Sequence, residues 1–267
     1  MASSPGVKLL SEKIDSAVRS FNLIKVETYK KYSDIQDSLM TPGQTLVINR
    51  VIGYGRYLIF EFNNGYCLVC HITTHADWRI NRSDIRDNPG DVTKKLLDTD
   101  PSIRVILTLS RGNSVVYLSY SDTPEIGKFR YLSPDQFQEH IKEAGIDVFS
   151  GDFTFDKFCE LIREAIYKHI FVGEILFDLH GICGINSMLR SEILHNAKIY
   201  PLMLLRDIKV SQARRLYEST KYICDLYYRN PGATPHIYEK NTYFGRPVAK
   251  CTFSSVGRIY YPGDYVI

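Results

Sequence analysis

The chain has 267 residues, 44% of them hydrophobic, which is enough to bury a sizeable core and long enough for more than one domain. Its formal net charge of +3 is unevenly spread: from Lys198 on there are 11 Lys+Arg against 5 Asp+Glu, while the first 197 residues carry 22 against 25. A near-neutral body with a basic C-terminal quarter suits a polyanionic partner, although a mildly basic solvated face has the same composition. No run approaches the ~18 apolar residues of a membrane span and no signal-peptide apolar stretch opens the chain, so a cytoplasmic or nuclear, unsecreted protein is expected.

Six cysteines (Cys67, Cys70, Cys159, Cys183, Cys224, Cys251) sit mostly in apolar runs, the pattern of reduced, buried thiols rather than of a disulfide scaffold. In chain order, "VKLLSEKIDSAVRS" places Val7, Leu10, Ile14 and Val18 on one face and predicts a helix almost at the N-terminus. Alternating, β-branched runs follow: "IKVETY", "TLVINRVIGYG", "RYLIFEF", "YCLVCHI", "SIRVILTL" and "SVVYLSY". "NNG" (63–65) and "RGN" (111–113) read as hairpin turns between them. The polar segment 82–95 reads as a surface loop, and the sheet-rich part ends near Gly151.

Beyond Gly151 the period becomes helical, with Phe155, Phe158, Leu161 and Ile162, then Ile175, Leu176 and Leu179. "GINSMLRSEILHNAKIYP" (184–201) is a buried helix with polar residues crowded at its ends, stopped by Pro201. Residues 210–229 form a long helix for which Ser211 is the expected N-cap. The tail, 235–267, returns to strand-like runs and predicts an antiparallel hairpin with "SSVGR" in its turn.

"CLVCH" (67–71) matches the C-x-x-C-H pattern of haem attachment, but it lies inside an alternating strand that puts Cys67 and Val69 on one face and Cys70 on the other. A plain strand is therefore expected, with neither haem nor zinc, and "ITT" argues against a His71/His75 ligand pair. "GYGRYLIF" (53–60) has no G-x-G-x-x-G and precedes a strand, so it predicts a turn that presents Arg56, not a dinucleotide cradle. Asp84 and Asp87 read as solvated charge. "GINSMLRSEIL" is different. Gly, Asn and Ser at a helix N-terminus offer backbone N–H groups and side-chain donors at the positive end of a helix dipole, a setting that favours phosphate. An ordinary capped core helix is the competing account of that segment. The basic residues that follow (Arg206, Lys209, Arg214, Arg215) favour a DNA backbone.

Gly184, Ile185, Glu192, Ile193, Leu194, Ile199 and Pro201 together resemble the helix–two-turn–helix of the formamidopyrimidine-DNA glycosylase/endonuclease VIII family of base-excision-repair enzymes. That motif reads approximately Gly-Ile-Gly-Asn, five residues on a Glu-Ile-Leu, and then Ile-x-Pro. Three further segments match in order: the opening "MASSPGVKLLSEKI", the strands of "GRYLIFEFNNGYCLVCHITTHADWRI", and "GRPVAKCTFSSVGRIYYPGDYV" on the C-terminal finger. The resemblance implies an α+β fold. It comprises an N-terminal β-sandwich with an N-terminal helix (1–150), a helix–two-turn–helix domain (151–232) and a β-hairpin finger (233–267).

The resemblance also implies where the chemistry has changed. The family's N-terminal amine nucleophile falls on Ala2, expected to be exposed by removal of Met1, and the neighbouring proton-handling glutamate falls on Ser3. An Ala2 amine can still form a Schiff base at an abasic site. Ser3 cannot perform a carboxylate's proton transfer, a contribution of order 10²–10⁴-fold. The family's strand lysine is Arg56, its gap-filling Met is Thr74, and its wedge Arg-Phe is Glu125-Ile126, where a glutamate is expected to repel DNA. Of the finger's four zinc-binding thiols only Cys251 remains, with Val248, Pro262 and Asp264 near the other positions, so a zincless finger is expected. Arg258 falls on the finger's phosphate-contacting arginine.

The expected contacts to the backbone of double-stranded DNA are Asn186, Ser187, Arg56 and Arg258, with no cofactor, no metal and a monomeric chain. Three functions follow: a DNA-binding protein with base removal weak or lost, an active glycosylase/lyase using the Ala2 amine, or an interaction module that kept only the fold.

Overall fold

Helix α1 (Ser4–Val18) buries Val7, Ile14 and Val18, with Leu10 half-buried beside them, as the i, i+3, i+4, i+7 spacing requires. Its start lies against Gly53, where a Cβ would meet the Val7 carbonyl oxygen at 2.9 Å. The computed structural model describes residues 3–29, 32–84, 88–165, 167, 169–176 and 181–230, with four two-residue strands beyond them. The chain divides into two compact units. One is Val7–Ile141, and the other joins Ser3–Gly6 to the chain from Lys142 on.

The N-terminal unit is built on eight antiparallel strands. They are β1 (Asn22–Thr28), β2 (Leu46–Tyr54), β3 (Tyr57–Phe62), β4 (Cys67–His71), β5 (Ala76–Asp84), β6 (Ile103–Arg111), β7 (Ser114–Asp122) and β8 (Lys128–Leu132). Their order is β5-β7-β6-β1-β2-β3-β4-β8. Only Asn22↔Val47 and Leu23↔Leu46 join β1 to β2, so the sheet folds into two four-stranded layers across that narrow seam. Between the layers lie Val105, Leu107, Leu109, Val116, Leu118 and Tyr120 from one and Leu58, Phe60, Phe62, Leu68 and Cys70 from the other.

Helix α2 (Ser33–Leu39) adds Ile35 and Leu39 to the same core. The intervening strand residues face outward, and helices cover them. Ile106, Val115 and Tyr117 pack with Val92 and Leu96 of α3 (Pro89–Thr99), while Ile59, Cys67 and Val69 pack with Phe137 and Ile141 of α4 (Pro134–Ala144). Strands covered on both faces read as continuous apolar runs, and each fully buried Val, Leu, Ile or Phe side chain contributes roughly 1.5–3 kcal/mol. Cys67 and Cys70 occupy opposite faces of β4 as free thiols. Burial pushes the Cys67 thiol up to about 11, with Glu61 adding to the effect.

Helix α3 corrects the expected loop at 82–95. β5 runs to Asp84, and α3 starts with Asn88 accepting from the Gly90 N–H at 3.0 Å and Pro89 in the first turn.

In the C-terminal unit β9 (Ile146–Asp147) pairs in parallel with β10 (Ile182–Cys183). Around this pair stand α5 (Phe155–Ala165), α6 (Ser187–Ala197) and α7 (Val210–Arg229), sharing a core of Phe158, Ile162, Leu189, Ile193, Leu216 and Ile223. Helix α6 ends at Lys198 in the left-handed conformation (φ 54°), with Lys198 N donating to His195 O and Ile199 N to Leu194 O. The turns between α6 and α7 are pinned by residues 170–173: Val172 N donates to Met203 O, Gly173 N to Pro201 O, and Leu205 N to Ile170 O. Helix α7 is capped at Lys209, two residues earlier than the expected Ser211, and Gln212 Oε1 accepts from the Lys209 N–H at 2.9 Å. Farther along, Thr252–Phe253 pairs antiparallel with Ile259–Tyr260 on either side of residues 254–258. Side chains of the finger, Cys251 and Arg258 among them, lie outside the described residues, as does Ala2. Among the described residues no helix is long and apolar enough to cross a membrane, and no His/Cys/Asp/Glu cluster has the makings of a metal site.

Candidate nucleic-acid interface

The start of α6 follows from its local sequence. Gly184 adopts φ 79°, a left-handed conformation open to glycine, and turns the chain out of β10. Ile185 plugs into the core at 1% exposure. Asn186 is then extended (φ −84°, ψ 173°), and its Oδ1 caps the helix by accepting from the Leu189 N–H at 2.9 Å.

First-turn N–H groups have no partner within a helix, and the cap takes only that of Leu189. Those of Ser187 and Met188 remain at a half-buried surface. Asn186 is only 7% exposed, yet its Nδ2 has no hydrogen-bond partner among the described residues. Three N–H-bearing groups thus collect at the positive end of an 11-residue helix, the arrangement an anion occupies most readily.

The N-terminal segment is fastened to the same turn. Ser4 N donates to Gly184 O at 2.8 Å, and Ser4 Oγ donates to Asp147 Oδ1 at 3.0 Å. Asp147 Oδ1 also accepts from Phe149 N at 2.9 Å. Ser3, at the position of the family's glutamate, is buried and brings no carboxylate there.

Within α6, Arg190 and Glu192 are both buried, at 1% and 0% exposure, so the polar residues are not confined to the two ends as the sequence suggested. Several basic side chains of the next helix, though exposed, also make intramolecular contacts. Arg215 Nε donates to Ala197 O at 3.1 Å, closing the C-terminus of α6, and Arg214 stacks 3.9 Å over the Phe155 ring. Arg229 pairs with Asp225 at 2.8 Å. Arg214 and Arg215 remain exposed, so these contacts orient the basic side chains without removing their charge from the surface.

In the N-terminal unit Arg56 occupies the second position of the two-residue turn Gly55–Arg56 between β2 and β3, with Gly55 at φ 58°. The Arg56 carbonyl accepts from Ile72 N at 2.8 Å, which holds the turn beside the end of β4, next to Thr73 and Thr74. The segment after β7 is set by Asp122, whose Oδ2 accepts from Tyr32 Oη at 2.8 Å, Gly127 N at 2.7 Å and Tyr120 Oη at 3.3 Å. Burial, with Asp122 adjacent, raises the Tyr32 phenol well above its ordinary value. Glu125 follows at φ 53°, and its Oε1 accepts from Arg104 Nε at 3.0 Å. The expected DNA-repelling carboxylate is thus paired internally. Beside it Ile126 is 56% exposed, and nothing in its sequence neighbourhood signals the Arg104 partner.

No protein-family model matches the chain. Among curated proteins it is 24% identical over 187 residues to the formamidopyrimidine-DNA glycosylase of Protochlamydia amoebophila, covering 70% of this chain and 60% of that protein. It is 25% identical over 202 residues to that of Arabidopsis thaliana (72% and 47% covered) and 19% identical over 245 residues to that of Lactobacillus gasseri (89% and 81%). The aligned region thus spans about half to three fifths of the length of the first two relatives. Among solved structures, the Lactococcus lactis formamidopyrimidine-DNA glycosylase bound to DNA containing an abasic site superposes with a TM-score of 0.69 at 18% identity, covering 88% of this chain and 83% of that one. A second abasic-DNA complex of the same enzyme covers 90% and 82%, again with a TM-score of 0.69. With its β-sandwich and its helical C-terminal unit, the chain has the fold of the formamidopyrimidine-DNA glycosylases and is similar to them in sequence at 19–25% identity.

Proposed function

We propose that this protein binds double-stranded DNA, intact or abasic, with base removal weak or lost. The observation that carries the reading is the start of α6, where a capping Asn186 leaves its own Nδ2 and the Ser187 and Met188 N–H groups to meet one backbone phosphate. Arg56 and Arg258 supply further phosphate contacts in this reading. The loss of base removal rests on Ser3, which has no carboxylate to move the protons of ring opening.

The test is duplex binding by fluorescence anisotropy at two salt concentrations, on intact and abasic DNA, with borohydride trapping on the same samples. Salt-sensitive binding without a covalent adduct is the expected result. An adduct lost when the N-terminal amine is blocked makes the protein a lyase acting through Ala2. Absence of binding to either duplex overturns the reading and leaves an interaction module.

A further inference from the structure

Between β3 and β4, Gly65 N donates to Phe62 O at 3.0 Å and Phe62 N donates to Tyr66 O at 3.0 Å. Asn63, Asn64 and Gly65 therefore form a three-residue hairpin loop that ends in a glycine bulge. Such a loop needs the left-handed region at its third position, and Gly65 takes it at φ 82°. The turn requirement thus places a glycine directly after Asn64. No other asparagine of the chain precedes a glycine, and in the β6–β7 turn the order is reversed, Gly112 coming before Asn113.

An asparagine followed by glycine carries its own reactivity, because no Cβ hinders the glycine nitrogen from reaching the side-chain carbon before it. Gly65 N gives up its proton and attacks Asn64 Cγ, and ammonia leaves with that proton. Water then opens the resulting cyclic imide at either carbonyl. One opening gives aspartate. The other gives isoaspartate, in which the main chain runs through the former side chain.

The fold governs how often this attack occurs. Residues 63–66 are all exposed, so the turn is open to water. Three hydrogen bonds nevertheless tie up the reacting groups. Gly65 N is engaged by Phe62 O, Asn64 Oδ1 accepts from Tyr66 N at 3.1 Å, and Asn64 Nδ2 donates to Tyr131 Oη at 2.9 Å. The Tyr131 ring is itself stacked on Tyr66, with centroids 5.1 Å and planes 24° apart. Opening the tip of an exposed turn costs far less than unfolding the sandwich.

We infer that Asn64 is a modification site, deamidated spontaneously from the native protein through local opening of this turn, with Tyr131 as the latch that sets the rate. The aspartate product keeps the turn, since its carboxylate accepts from both Tyr66 N and Tyr131 Oη. The isoaspartate product adds a methylene to the main chain between Phe62 and Tyr66 and breaks the pairing of β3 with β4 at this end. The site lies within the N-terminal unit and is independent of DNA binding.

The test incubates the whole protein at mildly alkaline pH in water enriched in heavy oxygen, beside the same protein in denaturant, with peptide mapping by mass spectrometry. Heavy oxygen is expected at Asn64 in both samples, more slowly in the native one. It should appear there ahead of Asn113, which is equally exposed at a hairpin turn but is followed by Ser114. Tyr131→Phe removes only the hydroxyl that holds Asn64. It should speed the native reaction about two- to tenfold, one net hydrogen bond read as a rate ratio, and leave the denatured rate unchanged. Asn64→Gln, whose longer side chain closes its ring far more slowly, should carry no label at this position. Native protein unlabelled at Asn64 when the denatured sample is complete, or labelled first at Asn113, overturns the site. Equal native rates for Tyr131→Phe and the wild type overturn the latch.

Discussion

Arg104 and Glu125 meet across the N-terminal unit, Nε to Oε1 at 3.0 Å, and the arginine also donates through Nη1 to the carbonyls of Pro101 (2.8 Å) and Ile103 (2.9 Å). Arg104 is nearly buried at 7% exposure, so Glu125 is its counter-ion as much as the reverse. The substitution that looked hostile to DNA in the sequence thus sits in a closed ion pair next to the exposed Ile126.

Arg104→Ala should therefore do two things. It should destabilise the fold by about 1–3 kcal/mol, the cost of leaving a desolvated charged group without its partner. It should also weaken duplex binding at low salt, because Glu125 loses its Arg104 counter-ion. Arg104→Ala/Glu125→Ala should recover the binding but not all of the stability. Denaturant midpoints and anisotropy check both, and unchanged binding by Arg104→Ala would show that Glu125 does not face DNA.

At Asn186 two substitutions separate capping from phosphate recognition. Asn186→Ala loses the cap and should cost about 0.5–2 kcal/mol together with DNA affinity. Asn186→Asp keeps an oxygen acceptor for the Leu189 N–H and favours the helix dipole, so stability should hold while the new negative charge repels a phosphate. Equal duplex binding by the aspartate variant and the wild type would remove the α6 turn from the interface.

Gly127 has no room for a side chain, since a Cβ there would lie 2.0 Å from Tyr120 Oη and 2.9 Å from Asp122 Oδ2. Gly127→Ala should destabilise by about 1–3 kcal/mol through overpacking. It should also disturb the segment that carries Glu125 and Ile126, seen as a lower melting temperature and a changed near-UV spectrum of Tyr32 and Tyr120.

The Cys67 thiol gives an alkaline limit. Its pKa is raised in the folded protein to about 11, so the native state holds a proton that the unfolded chain releases near ~8.5. The contribution is fully present below the unfolded value and is lost as pH climbs from there towards the folded one. Unfolding free energy should fall over that window, and Cys67→Ala should flatten part of the decline. Burial also raises the thiols of Cys70 and Cys224, so native protein at pH 8 should be alkylated at Cys159 before any of these three, as peptide mapping would show.

Several elements were legible because a single periodicity dominates them. The faces of α1, the alternation that separates Cys67 from Cys70, and the Gly184–Pro201 segment all follow from spacing and turn chemistry. Helix α3 was hidden because Asp91, Thr93, Lys94 and Lys95 outweigh the apolar face of Val92, Leu96 and Leu97, although Asn88–Pro89 is a helix start in plain view. Charge counting left out the intramolecular contacts of the basic residues. Arg214 and Arg215 read as backbone contacts; both are exposed, and one also stacks on Phe155 while the other donates to the Ala197 carbonyl.

Composition, period and motif order were enough to establish the α+β class, the family resemblance and the capped helix at Asn186, because each depends on residues close together in the chain. Which basic side chains also make intramolecular contacts, how Glu125 pairs with Arg104, and the meeting of Tyr57, His71, Lys128 and Arg130 on one sheet face beside His140 of α4 were decided by strand register and helix packing. Those pairings join residues dozens of positions apart, and no local pattern encodes them, because a one-residue slip in register would send each side chain to the opposite face.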